Sequence, residues 1–247
     1  MVVLRLSHRF FGGRLLALNK KSGGIRPITI GVILRRLASK CANSFGTSQL
    51  RSYFYLHQLG IGTPGGCEAA VHSACRYMEA LPPDDVMVKL DFSNVFNTHR
   101  REMLLSVYNR VPELYVYCRS AYSQSCSLYF GLYIVLSEEG AQQGDSIGPL
   151  LFCNMIHPVL SSLQASLKLG YLDDDNLGGT VKTVASDVAD DLLFTYSLIY
   201  LLIYLHLTAT NFVWRRVTKP RGRFTTVLLY TTQCRVSTPF KHGPIRV

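Results

Sequence analysis

Apolar positions recur along this chain with two periods, and the switches between them predict its elements. Val86, Val88 and Leu90 alternate with Met87, Lys89 and Asp91, the period of two by which a strand sets alternate residues on opposite faces. Upstream, Cys67, Ala70, Val71, Ala74, Cys75 and Met78 fall on one helical stripe, which predicts a helix over about 66–80. Pro82-Pro83-Asp84-Asp85 then ends it in a turn. Ile33, Leu34 and Leu37 repeat the helical spacing within 32–40, with Arg35 and Arg36 beside them. Residues 19–24 form a polar, glycine-containing turn, and Arg26-Pro27-Ile28-Thr29-Ile30 is a short extended segment. Further along, helices are expected at about 100–110 and after Pro112, the second with Leu114, Tyr117, Cys118, Ala121 and Tyr122 as its stripe. Residues 127–136 are aromatic and β-branched around Gly131, a hairpin pattern. Pro149 suits the first turn of a helix predicted over 149–167. Residues 169–179 then make a tight hairpin, where Asp and Asn tolerate the positive φ such a turn can require. The order strand, two helices, hairpin, helix, hairpin predicts an α+β fold: an antiparallel sheet with helices on one face.

The pattern changes at Leu192. From there to Val213 no Lys, Arg, Asp or Glu occurs, and Arg215 and Arg216 follow. By length that stretch could span a membrane, although its abrupt start also suits translated sequence from outside the domain. The net charge of +10 invites a nucleic-acid reading, but it is unevenly placed. Residues 1–191 hold 18 basic and 16 acidic residues, whereas residues 215–247 hold eight basic residues and no acid. The basicity therefore describes the tail and says little about the body. Seven cysteines without a C-x-x-C pair argue against a disulfide framework and for reduced, buried thiols. Cys67, His72 and Cys75 could be drawn as a partial metal site, but more simply decorate one amphipathic helix. Met1–Phe11, interrupted by Arg5 and Arg9, does not read as a signal peptide.

The acidic residues carry the chemistry. Asp91 ends an apolar strand, and Asp173 and Asp174 sit at a hairpin tip about 80 positions further on. Singly, such residues usually mark solvated turns. If the two elements pair, three carboxylates converge and repel one another unless cations neutralise them. Hard divalent cations such as Mg²⁺ prefer oxygen donors of this kind, and two such ions about 3.5–4 Å apart support in-line phosphoryl transfer.

Four segments, in order, resemble the reverse transcriptases. Gly24-Ile25-Arg26-Pro27-Ile28 is similar to their Arg-Pro-Ile fingers segment, and Leu90-Asp91-Phe92-Ser93-Asn94-Val95-Phe96-Asn97 to their first carboxylate motif. Ala141-Gln142-Gln143-Gly144-Asp145, continuing to Phe152, resembles their Gln-Gly motif and its following helix, and Tyr171-Leu172-Asp173-Asp174 their aromatic-x-Asp-Asp box. The flavour is that of non-LTR retrotransposons, over about residues 19–190. The resemblance implies a polymerase palm with partial fingers, no thumb and an unrelated C-terminal extension: partial fingers and the start of the palm in 1–85, palm in 86–190, and an apolar segment with a basic tail in 191–247. It implies Asp91, Asp173 and Asp174 as the catalytic carboxylates and ligands of two Mg²⁺, with Mn²⁺ as a substitute. Phe96 would lie under the incoming sugar and favour deoxynucleotides. Gln143 and Gly144 would lie near the nascent base pair, Arg26 near the triphosphate or template, and Tyr171 at the primer end. RNA template, DNA primer and dNTP are the implied partners. No protein partner is implied, a membrane enters only through Leu192–Val213, and the expected setting is nucleus or cytoplasm. Departures are Asn97, where many relatives have Asp, and Asp175, where Gly is common and which would crowd negative charge at the tip. Few residues precede the Arg-Pro-Ile segment. The alternatives to an RNA-directed DNA polymerase core are an inactive, truncated remnant or partial gene model, and a non-enzymatic module tethered to a membrane or bound to nucleic acid.

Overall fold

A computed structural model of the chain describes residues 10–20, 24–91, 100–189, 215–218 and 224–231. Strands β1 (Gly13–Asn19), β2 (Ile25–Gly31), β3 (Asp85–Asp91), β4 (Cys126–Phe130), β5 (Tyr133–Ser137), β6 (Leu167–Tyr171), β7 (Asp174–Thr180), β8 (Arg215–Thr218) and β9 (Phe224–Thr231) form two sheets. The first has the order β2-β1-β4-β5 and the second β6-β7-β3-β9-β8. Every pairing in the second sheet is antiparallel, and in the first only β1–β4 is parallel. Helices α1 (Ile33–Phe54), α2 (Gly66–Glu79), α3 (Arg100–Arg110), α4 (Pro112–Tyr122) and α5 (Gly148–Ser162) lie between the strands. A further helical stretch, α6, covers 181–189.

The second sheet is built around β3, whose branched side faces the core as predicted, although Met87 on the opposite side is buried too. Val86, Val88 and Leu90 turn into a core with Leu177 of β7, Met103 and Val107 of α3, Leu114 and Cys118 of α4, and Leu150 and Leu151 of α5. Full burial of each such aliphatic side chain contributes about 1.5–3 kcal/mol. Pro112 and Pro149 both stand in the first turns of their helices, where a missing N–H costs nothing. The mixed α/β architecture and the antiparallel palm-like sheet are as expected from the residue pattern.

Four local expectations are corrected. The Ile33/Leu34/Leu37 segment is helical, but its faces are inverted: those residues are 80%, 67% and 58% exposed, while Arg35 is 2% exposed. The physical reason is a polar partner for Arg35 contributed from far along the chain. In α2, Cys67, Val71 and Cys75 are exposed, and the inward side is Ala70, Ser73, Ala74, Tyr77 and Met78. Tyr77 sets that rotation, because its ring occupies the space beside Gly178 (a Cβ there would lie 2.5 Å from Tyr77 Cε1) and its hydroxyl donates to Asp85 Oδ2 at 3.1 Å. Cys41 is likewise exposed, so buried thiols are confined to Cys118, Cys126 and Cys153 among the described cysteines. The helix expected to reach Leu167 stops at Ser162, because the amides of Gln164 and Ala165 donate instead to the Asp187 carboxylate at 2.6–2.9 Å and β6 begins at Leu167.

The tail is also more than an appendage. β9 pairs with β3 from Val86↔Thr231 to Asp91↔Thr226, and β8 pairs with β9, so backbone from beyond residue 214 extends the central sheet. Leu192–Val213 lies outside the described residues. Among the described residues no helix is long and apolar enough to cross a membrane.

Candidate active site

The register of the central sheet decides where the carboxylates go. Asp91 pairs with Asp174, and Asp174 pairs on its other side with Tyr171. One row across β3, β7 and β6 therefore reads Asp91, Asp174, Tyr171. Directly opposed residues in an antiparallel ladder have Cα atoms about 4.5–5.5 Å apart, and opposed positions share a face. Leu172 and Asp173 are the two turn residues joining β6 to β7, so Asp173 sits in the turn that closes the Tyr171–Asp174 pair of this row. The side chain of Asp91 lies outside the described residues, as do Phe96 and Asn97.

Asp174 is half-exposed and forms an ion pair with Lys89 at 3.1 Å. Lys89 sits on β3, two positions before Asp91. Asp175 alternates to the other side: it opposes Leu90 and Gly170 and is 2% exposed. The expectation that Asp175 crowds charge at the tip is thus corrected, because the pleat turns it beneath the sheet. Under the hairpin, burial first, then the charges of Asp175 and Asp173, push the Cys153 thiol well above its ordinary value. That thiol stays protonated and serves as packing.

The hairpin places its positive φ at Leu172 (59°), not at an Asp or Asn. A bulky residue seldom adopts this conformation. The neighbouring segment explains how it is held. Gln58, completely buried, accepts from the Leu172 N–H at 2.8 Å and donates its amide to the Leu172 carbonyl at 3.2 Å. The Leu59 N–H donates to the Gly170 carbonyl at 2.7 Å, and the Gly170 N–H to the His57 carbonyl at 2.6 Å.

The Arg-Pro-Ile strand and the Gln-Gly loop meet directly. The Thr29 N–H of β2 donates to the Gln143 carbonyl at 2.7 Å. Gly144 has φ 105°, and a Cβ there would lie 2.4 Å from the Thr29 carbonyl oxygen. Gly144 is therefore required by the approach of β2, independently of any base pair. Arg26 is exposed on β2 opposite Leu18, three residues before that contact.

The loop is tied from behind by a knot that sequence reasoning missed. Arg35 pairs with Asp145 Oδ2 at 2.8 Å, and both side chains are 3% exposed. Arg35 also donates to Gln142 Oε1 at 2.6 Å and to the Phe11 carbonyl. Asp145 accepts further from the hydroxyls of Ser39 and Tyr122. Burial first, then the Asp145 charge, holds the Tyr122 phenol well above its ordinary value, so it remains a donor. The only signal in the sequence was an Arg set among exposed-type spacing.

Chemically, the corner offers carboxylate oxygens, a donor set that fits hard divalent cations. Among the described residues no group of three or more His, Cys, Asp or Glu forms a ready metal cluster, including the Cys67, His72 and Cys75 set.

A family profile for "Reverse transcriptase (RNA-dependent DNA polymerase)" matches residues 18–196. The chain belongs to the reverse transcriptase family. Solved structures with the reverse-transcriptase fold agree. Apo telomerase from Candida tropicalis matches with a TM-score of 0.61 at 11% identity, over 95% of this chain and 46% of that one. The same telomerase truncated from its C-terminal domain gives 0.57 at 13% identity, over 83% and 52%. Telomerase from Candida albicans in complex with a TWJ fragment of telomeric RNA gives 0.58 at 11% identity, over 84% and 43%. At these identities the likeness concerns the fold, and this reverse-transcriptase chain spans about half the length of the telomerase chains. Comparison with curated proteins found no match.

Proposed function

We propose that this chain is the core of an RNA-directed DNA polymerase of the non-LTR retrotransposon kind, adding nucleotides to a primer 3′-hydroxyl. One observation carries the reading: the register that aligns Asp91, Asp174 and Tyr171 in a single row with Asp173 in the adjoining turn. The non-LTR character rests on the wording of the four motifs.

In this reading Asp91 and Asp173 are the principal ligands of Mg²⁺, and Asp174 supports them. Bound divalent ions would offset the clustered carboxylate charge and favour phosphoryl transfer. The protein itself supplies position and electrostatics. Tyr171, in the same row, supports the primer end. Gln143 and Gly144, held against β2, border the nascent base pair. Arg26 projects from the same strand as a cation for triphosphate or template. Phe96, by its place in the first carboxylate motif, is the residue this reading assigns to the incoming sugar and to the selection of deoxynucleotides. The partners are an RNA template, a DNA primer and dNTPs.

The test is primer extension on an RNA template with Mg²⁺, comparing the wild-type chain with Asp173→Asn. Product from the wild type and at least a hundredfold less from the variant is expected, the scale on which losing one electrostatic group at a reacting centre is felt. Product from neither refutes catalysis by this chain and favours a remnant without activity, whereas equal product from both refutes the role given to Asp173.

A further inference from the structure

We infer that Gln58 is a positioning residue for Asp173, acting through the backbone of Leu172; the inference rests on the carboxylate reading above. Leu172 is the first of the two turn residues, and its carbonyl belongs to the peptide that leads into Asp173. The Gln58 amide engages both peptides flanking Leu172. It accepts from the Leu172 N–H at 2.8 Å and donates to the Leu172 carbonyl at 3.2 Å. Fixing those two peptide planes fixes both torsions of Leu172, and thus the direction in which the chain leaves toward Asp173. A primary amide of this length offers an N–H donor and a carbonyl acceptor side by side.

The surroundings are shaped for this contact. Gln58 is completely buried, and its Oε1 also accepts from the Gly60 N–H at 3.2 Å. A Cβ on Gly60 would lie 2.8 Å from the Leu172 nitrogen, and one on Gly170 would lie 2.9 Å from Gln58 Nε2. Both neighbours are glycine because the clamp leaves no room for a side chain. Leu172, at φ 59°, is the residue that needs an outside hold. A glycine there would adopt the same φ without strain.

The expected result follows from that difference. Outer-shell partners of metal ligands typically cost 10–100-fold in metal affinity when lost. Mn²⁺ is titrated into the full chain while the free-ion electron paramagnetic resonance signal is followed, a readout that needs no catalysis. Gln58→Ala should weaken Mn²⁺ binding roughly tenfold, and adding Leu172→Gly to Gln58→Ala should restore most of it. Gln58→Met, which keeps the length but offers no N–H or O–H donor and only a weak acceptor, should weaken binding too, and it stands in if Gln58→Ala does not fold. Wild-type binding in both Gln58 variants, with Asp173→Asn still weakened, overturns the clamp and leaves the carboxylate reading standing. Failure of Leu172→Gly to recover any affinity overturns it as well, since a merely structural role for Gln58 would not be bypassed at Leu172. Equal binding by wild type and Asp173→Asn overturns both.

Discussion

Replacing Arg35 with Met should be among the most destabilising single changes in this chain. Arg35 and Asp145 pair at 2.8 Å with each side chain 3% exposed. Met fills much of the volume but leaves the carboxylate buried without its cation, with the Ser39 and Tyr122 hydroxyls and a long contact from the Ile147 N–H at 3.5 Å as its remaining donors. It also strips donors from Gln142 Oε1 and the Phe11 carbonyl. Breaking a buried pair from one side typically costs about 3–5 kcal/mol. In a chain of this size each kcal/mol moves Tm by about 2–4 °C, so a fall of roughly 6–20 °C follows. Urea unfolding monitored by circular dichroism gives the free energy directly. The double variant Arg35→Met with Asp145→Asn should be more stable than the single one by about 1–3 kcal/mol, because the orphaned charge is gone. A loss below 1 kcal/mol for Arg35→Met, or a double variant whose cost is the sum of the two singles, would refute the reasoning.

Two further outcomes follow from charged groups. His157 is buried, with its ring 4.2 Å from Tyr53 and 6.0 Å from His57. Burial first, then the His57 and Arg110 charges, lowers its pKa to about 4. The unfolded chain takes up that proton near pH 6.5, so below this the unfolded state binds more protons and stability falls as pH drops toward 4. The loss is about 3 kcal/mol, and urea titrations at pH 7 and pH 4 should show it in the wild type and show it diminished by that amount in His157→Phe. Lys89→Met removes the half-exposed ammonium that holds Asp174 at 3.1 Å. It should change stability by less than about 1 kcal/mol yet tighten Mn²⁺ binding up to about fivefold by freeing the carboxylate from a competing cation; weaker binding would contradict that role.

What the sequence made legible is what local periodicity encodes. The period of two from Val86 to Asp91 carries both the core face and the direction of the strand, and Pro112 and Pro149 mark helix starts that the structure keeps. The four motifs were enough for the family, and the hairpin tip was legible as a place for Asp173 and Asp174. Long-range partners were not legible. Arg35 reads as a surface residue until Asp145, 110 positions away, is known to meet it, and that pairing is what turns Ile33, Leu34 and Leu37 outward. Gln58 has no motif around it, and its partner Leu172 is 114 positions away. Asp175 looked like a third tip carboxylate because adjacency in sequence hides the alternation of the pleat. The pairing of β9 with β3 had no signal beyond a weakly patterned tail.

The central claim is that Asp91 and the Asp173–Asp174 tip share one divalent-cation site. Fe²⁺ bound in place of Mg²⁺, with ascorbate and peroxide, cuts the backbone beside the ion. The account predicts two cuts in the wild-type chain, one near residue 91 and one near residues 171–175, both suppressed by excess Mg²⁺ and both lost in Asp173→Asn. Cutting at one of these places without the other, or cuts that survive Asp173→Asn, would contradict it.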